Sequence, residues 1–431
     1  MLVARVRDIY NTECIKKLNV QNALIDCIHR YGFREIQTPT FEFSDVFSSE
    51  KGTVAQTDMF RFFDREGNTL ALRPDMTPPI ARCVAKYFKE EELPIRLMYC
   101  GNTYRNNVSL QGKLKEVTQL GTELINDPSV EADAEMIAMT VDCLLTTGLK
   151  EFQVEIGNVE FFAGLIEEAR LQEEETVKLR ELIENKNLFG MEELLQEKKL
   201  EEPLKKLFYQ LPELFGTIEK VKDIKNYVQN SRSIAALNRL EQLYELLKIY
   251  DFESYITFDL GMLSNYNYYT GIIFRAFTYK TGDAVATGGR YDSLIDQFGK
   301  DAPAIGVALI LDQLLLALSR QNLLVNQESE DTLLVYQTKV QTIAIQLAKQ
   351  FRKENMRVEL YAEQKEYTLQ DYIDYANRMG LGGILHLDNN KQVHLVRAKD
   401  GAIQKLGLLH TFYSILILNL KLRTVFSLPL K

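Results

Sequence analysis

Residues Asp259 to Asp292 constrain the fold of this 431-residue chain more than any other stretch. Two runs of apolar, aromatic and β-branched residues, Tyr268–Phe277 and Asp283–Thr287, flank a glycine-containing turn at Thr281–Gly282. That is the pattern of a β-hairpin. Gly288 and Gly289 follow and permit a sharp, close-approaching backbone, and Arg290 and Asp292 come next on what should be the sheet surface. A glycine pair beside an arginine at a strand end can hold a small anion or a carboxylate. Read structurally, the same residues make a tight turn with a surface Arg–Asp pair.

The remaining segments repeat the hairpin theme. Asp8 to Tyr31 has apolar residues at near-helical spacing, and Gly32 ends it as a C′ glycine would. Phe33–Pro39 reads as a strand stopped by proline. Met59–Asp64 and Thr69–Arg73 make a second hairpin around Gly67-Asn68. Pro74 turns this hairpin into a helix at Pro78–Phe88, with Thr77 as N-cap and Pro78 at N1. Asp75 then lies at a strand end beside a helix N-terminus, as a second cap or as a carboxylate ready for an amino group. Ile95–Arg105 and Glu116–Ile125 alternate like paired strands, and on the second Gln119, Gly121 and Glu123 share one face. A Gln and a Glu with a Gly between them leave room for a polar ligand, or else form a solvent-facing surface.

Val130–Gly148 reads as helix, Phe152–Ile156 as strand, and Glu167 to Leu247 as an inserted, mostly helical module whose charge runs are solvated faces. Ala304–Arg320 reads as an apolar helix opened by Pro303. After a polar linker at 327–331, strand and helix alternate in a small α/β unit up to Val396, and the apolar end, TFYSILILNLKLRTVFSLPLK, fits no element of it. The domains expected are a core over 1–326, with its insertion at about 167–247, and a second unit over 331–431. Hairpins with intervening helices, rather than βαβ repeats, predict an antiparallel sheet in the core, and hence an α+β class.

Composition removes several functions. A net charge of −9 argues against a dedicated nucleic-acid binder, although residues 331–431 carry 14 Lys and Arg against 9 Asp and Glu. Five cysteines without a CxxC pair, and four histidines at no metal-ligand spacing from them, predict reduced, buried thiols, a cytoplasmic setting and no metal. No signal peptide or membrane span is visible, and without a Walker A or Rossmann glycine pattern nucleotide binding is not inferred that way; no cofactor is expected.

Taken together and in order, the motifs resemble class II aminoacyl-tRNA synthetases, and histidyl-tRNA synthetase in particular. GFREIQTPTFEFSDVF looks like motif 1, LALRPDMT like the LRPE-type segment, and TYRNNVSLQGKLKEVTQLGTELI like motif 2. NYYTGIIFRAF and GGRYD look like the two histidine-specific boxes, and APAIGVALILDQLL like motif 3. The resemblance spans roughly residues 5 to 320 and implies a class II antiparallel sheet flanked by helices.

The departures carry as much information. Ser264 stands where the resemblance calls for the arginine that polarises the histidine carboxylate and the α-phosphate of ATP. Ile310, Leu311, Asp312 and Gln313 replace a Gly-Leu-Glu-Arg run whose arginine grips ATP. Lys113, Lys115 and Val117 replace Arg, Arg and Phe in the motif 2 loop, although Arg105 remains. Adenylate formation needs cations on a highly charged phosphoryl transfer, and losing one such donor typically costs about 10²–10³ in rate. Lys does not replace Arg at bidentate sites.

The amino-acid side is kept. The resemblance implies a histidine pocket from Asp75, Thr77, Arg105, Gln119, Glu123, Tyr268, Tyr269 and Arg290. A synthetase core without its ATP arginines is similar to the regulatory subunits of ATP phosphoribosyltransferase, for which RPDMT, with Asp in place of Glu, is typical. That family implies no catalysis by this chain. Its partner would be the short-form catalytic subunit, which it activates in the first step of histidine biosynthesis, with histidine as feedback ligand and self-association. The competing expectations are a divergent histidyl-tRNA synthetase and an interaction module with no ligand.

Overall fold

The computed structural model describes residues 5–47, 54–106, 114–196, 198, 200–263, 268–324 and 331–408. The chain divides into two compact units, residues 1–8 with 17–324 and residues 9–16 with 325–431. The apolar tail beyond Leu408, Ser264 and Lys113 lie outside the described residues.

The larger unit is built on a nine-stranded sheet in the order β1-β5-β6-β12-β11-β10-β7-β9-β8. The strands are β1 (Arg34–Glu35), β5 (Ile95–Tyr104), β6 (Glu116–Ile125), β7 (Phe152–Asn158), β8 (Phe215–Gly216), β9 (Ile256–Asp259), β10 (Ile272–Thr278), β11 (Ala286–Arg290) and β12 (Ala304–Ile310). From β5 to β7 every pair is antiparallel, as the hairpin pattern requires. Two pairs nearer the edges, β1 with β5 and β7 with β9, are parallel, so the sheet is mixed. A satellite sheet, β2-β4-β3, pairs Phe41–Phe43 (β2), Thr69–Leu72 (β4) and Arg61–Phe63 (β3).

Helices α1 (Asn11–Arg30), α2 (Thr77–Tyr87), α3 (Val130–Thr146) and α10 (Leu311–Arg320) flank the sheet. Leu24, Cys27 and Ile28 of α1 are fully buried at helical spacing, and Gly32 stops the chain at φ +79°, a conformation open to glycine. Six helices, α4 (Val159–Ala169), α5 (Glu173–Glu184), α6 (Leu188–Gln196), α7 (Glu202–Gln210), α8 (Ile218–Ile224) and α9 (Ser231–Ile249), occupy the segment between β7 and β9, with β8 the one short strand described among them. Their leucines and isoleucines join the core of the larger sheet, and their charges remain outside.

The smaller unit is a five-stranded sheet, β14-β13-β15-β16-β17, formed by Thr332–Tyr336 (β13), Val358–Ala362 (β14), Gly383–Leu387 (β15), Gln392–Arg397 (β16) and Ile403–Leu408 (β17). Helices α11 (Gln341–Lys353) and α12 (Leu369–Met379) cross between its parallel strands. Thr368 and Asp371 form a capping box on α12, and Gly380 ends it in the left-handed region. Strand β17 lies beyond the last element expected from the sequence.

Three expectations are corrected. Ala304–Ile310 is a strand, and α10 begins only at Leu311. The run AIGVALI is apolar on both sides because β12 lies mid-sheet between β6 and β11, and periodicity cannot separate such a strand from a buried helix. Gly288 and Gly289 belong to β11 itself and are not a turn. Cys27 and Cys143 are buried, but Cys14 and Cys83 are half-buried and Cys100 is exposed; all five thiols are free.

A Cβ at Gly288 would overlap the Phe274 ring and lie 2.6 Å from the Gly306 carbonyl oxygen. Gly288→Ala is therefore expected to lower unfolding stability by about 1–3 kcal/mol, the usual cost of overpacking. A urea midpoint unchanged from wild type would contradict that packing.

Candidate functional site

The middle of the large sheet is paved with glycine. Gly289 on β11 and Gly306 on β12 line one pocket, and the register pairs Gly306 with both Glu123 and Gly289. A Cβ at Gly306 would overlap Glu123 Oε2, and one at Gly289 would sit 2.7 Å from the Tyr269 ring. The floor is thus backbone, and the walls are side chains from distant parts of the chain. They enclose about 400 Å³ of space, the open mouth included.

Glu123 is the most buried charged group of the pocket, 1% exposed. Its Oε1 accepts from Thr77 Oγ1 at 2.9 Å and its Oε2 from the Tyr291 hydroxyl at 2.5 Å. Burial pushes the carboxyl up to about 8, against the pull of these two hydrogen bonds and with a further push from Asp75. Asp75, also buried, accepts from the Thr77 backbone N–H at 3.1 Å and from the Tyr268 hydroxyl at 3.2 Å. Asp75 therefore holds the first N–H of α2 and lines the pocket at once. Thr77 is the first helical residue rather than the N-cap: Met76 takes that place without a side-chain cap, and the Thr77 hydroxyl goes to Glu123.

The corner holding Asp75 is pinned by the buried Arg73. Its guanidinium donates to the carbonyls of Asn102 and Thr38, each at 2.8 Å, in the space left by the missing side chain of Gly101. Tyr268 sits 4.9 Å from Tyr269 and 6.0 Å from Tyr291, ring centre to ring centre. Two carboxyl groups among aromatic rings, with no cation among the described lining residues, suit a ligand that carries positive charge.

Six of the eight residues singled out from sequence come together here: Asp75, Thr77, Gln119, Glu123, Tyr268 and Tyr269. Arg105 lies beside the site, its Nε donating to the Pro74 carbonyl at 3.2 Å, outside the lining. Arg290 is not on the sheet surface. It is 4% exposed, and its guanidinium is taken up by Asp133, Asp292 and backbone carbonyls. Sequence reasoning missed Tyr99 and Tyr291, which line the pocket. The period of two was the available signal: with Gly289 on the pocket face, Tyr291 shares that face and Arg290 points away. Tyr99 stands directly across from Gly121, whose missing side chain makes room for its ring.

Where the resemblance calls for an arginine on ATP, the Gln313 amide lies 3.5 Å from an Asp283 oxygen. Next to it, Asp312 accepts from the Thr118 N–H at 2.8 Å and pairs with Lys17 and Arg7. Lys17 and Arg7 thus both lie near a protein carboxylate in this corner, at 3.7 and 3.9 Å.

A carboxyl that ionises near 4.5 when unfolded and near 8 when folded takes up a proton on folding between those values. Stability from this group therefore falls as pH rises through that window, then levels off. Glu123→Gln, which mimics the protonated form, should remove that slope. Urea titrations of both proteins from pH 5 to pH 9 check it, and parallel curves would contradict the raised value.

A family model described as Histidyl-tRNA synthetase matches residues 5–314. An ATP phosphoribosyltransferase regulatory subunit from Acetivibrio thermocellus is 40% identical over 400 residues, 93% of this chain and 95% of the relative. A crystal structure titled as an ATP phosphoribosyltransferase regulatory subunit/histidyl-tRNA synthetase from Bacillus halodurans is similar at a TM-score of 0.78 and 30% identity, covering 90% of this chain and 97% of that one. Histidyl-tRNA synthetase from Nostoc sp. PCC 7120 shares the fold, with a TM-score of 0.79 at 16% identity over 97% and 99% of the two chains. The chain thus belongs to the ATP phosphoribosyltransferase regulatory subunits, non-catalytic members of the histidyl-tRNA synthetase-like family.

Proposed function

We propose that this chain binds histidine in the glycine-floored pocket and, with the short-form catalytic subunit of ATP phosphoribosyltransferase, makes that subunit active and sensitive to histidine. The observation that carries the reading is the pairing of Asp75 and Glu123 in one aromatic-walled pocket. Asp75 and Thr77 face the ligand's ammonium group. Glu123, Gln119 and the tyrosines surround its side chain, where a carboxyl poised near 8 can either donate to or accept from an imidazole nitrogen. Inhibition requires that histidine bind active and inactive assemblies with different affinity. A cytoplasmic setting is part of this reading, and among the described residues no helix is long and apolar enough to cross a membrane.

Self-association has its own support. On the satellite sheet Phe41, Phe43, Leu70, Leu72 and Phe62 share one face by register, and Phe41, Phe43 and Phe62 are 50%, 57% and 38% exposed. A contiguous apolar sheet face of this kind marks an interaction surface. It carries no charge that would select a charged partner, and it can pack against the same face of a second copy, as a two-fold contact requires.

Phosphoribosyl-ATP formation by the catalytic subunit should appear only when this chain is added and should fall as histidine is titrated. Glu123→Ala should leave assembly intact and raise the histidine needed for half-inhibition about tenfold or more. Unchanged inhibition would remove the pocket from the mechanism, and no activation on mixing would sink the partnership. Phe41→Ser with Phe62→Ser should convert the dimer to monomer in light scattering; a wild-type chain that is already monomeric defeats the self-association reading.

A further inference from the structure

Asp133, in the first turn of α3, is a fully buried carboxylate shared by two arginines from different parts of the chain. Oδ1 takes Arg290 through Nε at 2.8 Å and Nη2 at 2.6 Å. Oδ2 takes Arg239, in the middle of α9, through Nε at 2.7 Å and Nη2 at 2.6 Å. The Ser129 carbonyl accepts from both guanidinium groups, at 3.3 and 2.8 Å. Two cations are thereby fixed by one anion and one loop, and neither can shift without uncovering a buried charge.

The Arg290 end of this cluster leads to the pocket. Residue 291 follows it directly: the Tyr291 N–H is held by the Ala304 carbonyl at 2.7 Å, and its hydroxyl reaches Glu123. The Arg290 carbonyl accepts from the Thr270 N–H at 2.8 Å, and Thr270 follows Tyr268 and Tyr269. Asp292 closes the loop by accepting from both Arg290 and the Ala304 N–H. At the other end lies helix α9, whose other described ion pairs do not reach Asp133: Arg232 pairs with Glu160 and Glu167 on α4, Glu241 with Lys225, and Lys248 with Glu245.

We infer that Arg239, which lies outside the pocket lining, is a positioning residue for the pocket: through Asp133 and Arg290 it holds Tyr291 against Glu123 and couples helix α9 to ligand occupancy. The part of this inference that concerns histidine rests on the function proposed above; the mechanical link does not. By reciprocity, whatever grips α9 changes pocket affinity, and a pocket ligand steadies α9 by the same factor.

The test compares the full-length chain with Arg239→Met, Arg239→Lys and the control Arg232→Met, which disturbs α9 without reaching Asp133. Hydrogen exchange is followed over residues 286–292, with β13–β16 as internal reference, and histidine binding is measured by calorimetry. Arg239→Met should speed exchange over 286–292 about tenfold and weaken histidine about tenfold. Arg239→Lys, which keeps the charge and the fold, should fall between, and Arg232→Met should match wild type. Unchanged exchange over 286–292 in both Arg239 variants, or equal effects from Arg232→Met, overturns the inference. Faster exchange in the Arg239 variants, with no histidine heat in wild type, keeps the coupling and defeats the pocket reading alone.

Discussion

The pocket depends on holding a carboxyl group, Glu123, almost wholly out of water. Burying a charge without partners costs several kcal/mol, so the group is kept largely protonated and is met by hydroxyls from two distant residues, Thr77 and Tyr291. Those hydroxyls come from segments 46 and 168 residues away in sequence. The arrangement therefore exists only when the second hairpin, the central strands and the GGRYD segment have all reached their native places. The buried Arg73, resting on carbonyls alone, serves the same end by locking the corner from which Asp75 and Thr77 project.

Much of this was legible in the sequence because alternation and turn chemistry are local. The hairpins, the capped helices and the polar face Gln119-Gly121-Glu123 follow from periods of two and 3.6 and from the placement of Gly and Pro. The strand Ala304–Ile310 was not legible, because a strand covered on both faces loses its alternation and looks like a short apolar helix. The cap of α2 was misplaced by one residue, because Thr77 satisfies the local rule and only the distant Glu123 takes up its hydroxyl.

The site was legible in a different way. Residue types at spaced motifs pointed to six of the lining side chains, but charge drew the reading to Arg290, although the period of two puts Tyr291 on the Gly289 face. Arg290 carries the obvious charge, and Tyr291 occupies the pocket. The charge proved to serve Asp133, a partner 157 residues away that no pattern in the sequence pairs with it. Long-range ion pairs of this kind are the part of a fold that single-sequence reasoning loses first.

The glycine floor has a consequence for how such a pocket can change over time. Its depth is set by atoms that are missing at 289 and 306, so no substitution there can deepen it and every one fills it. Variation must come from the tyrosine walls, which can shorten or lose a hydroxyl. A descendant of this chain can make the pocket shallower or close it altogether, but a deeper one would require the sheet itself to be rebuilt.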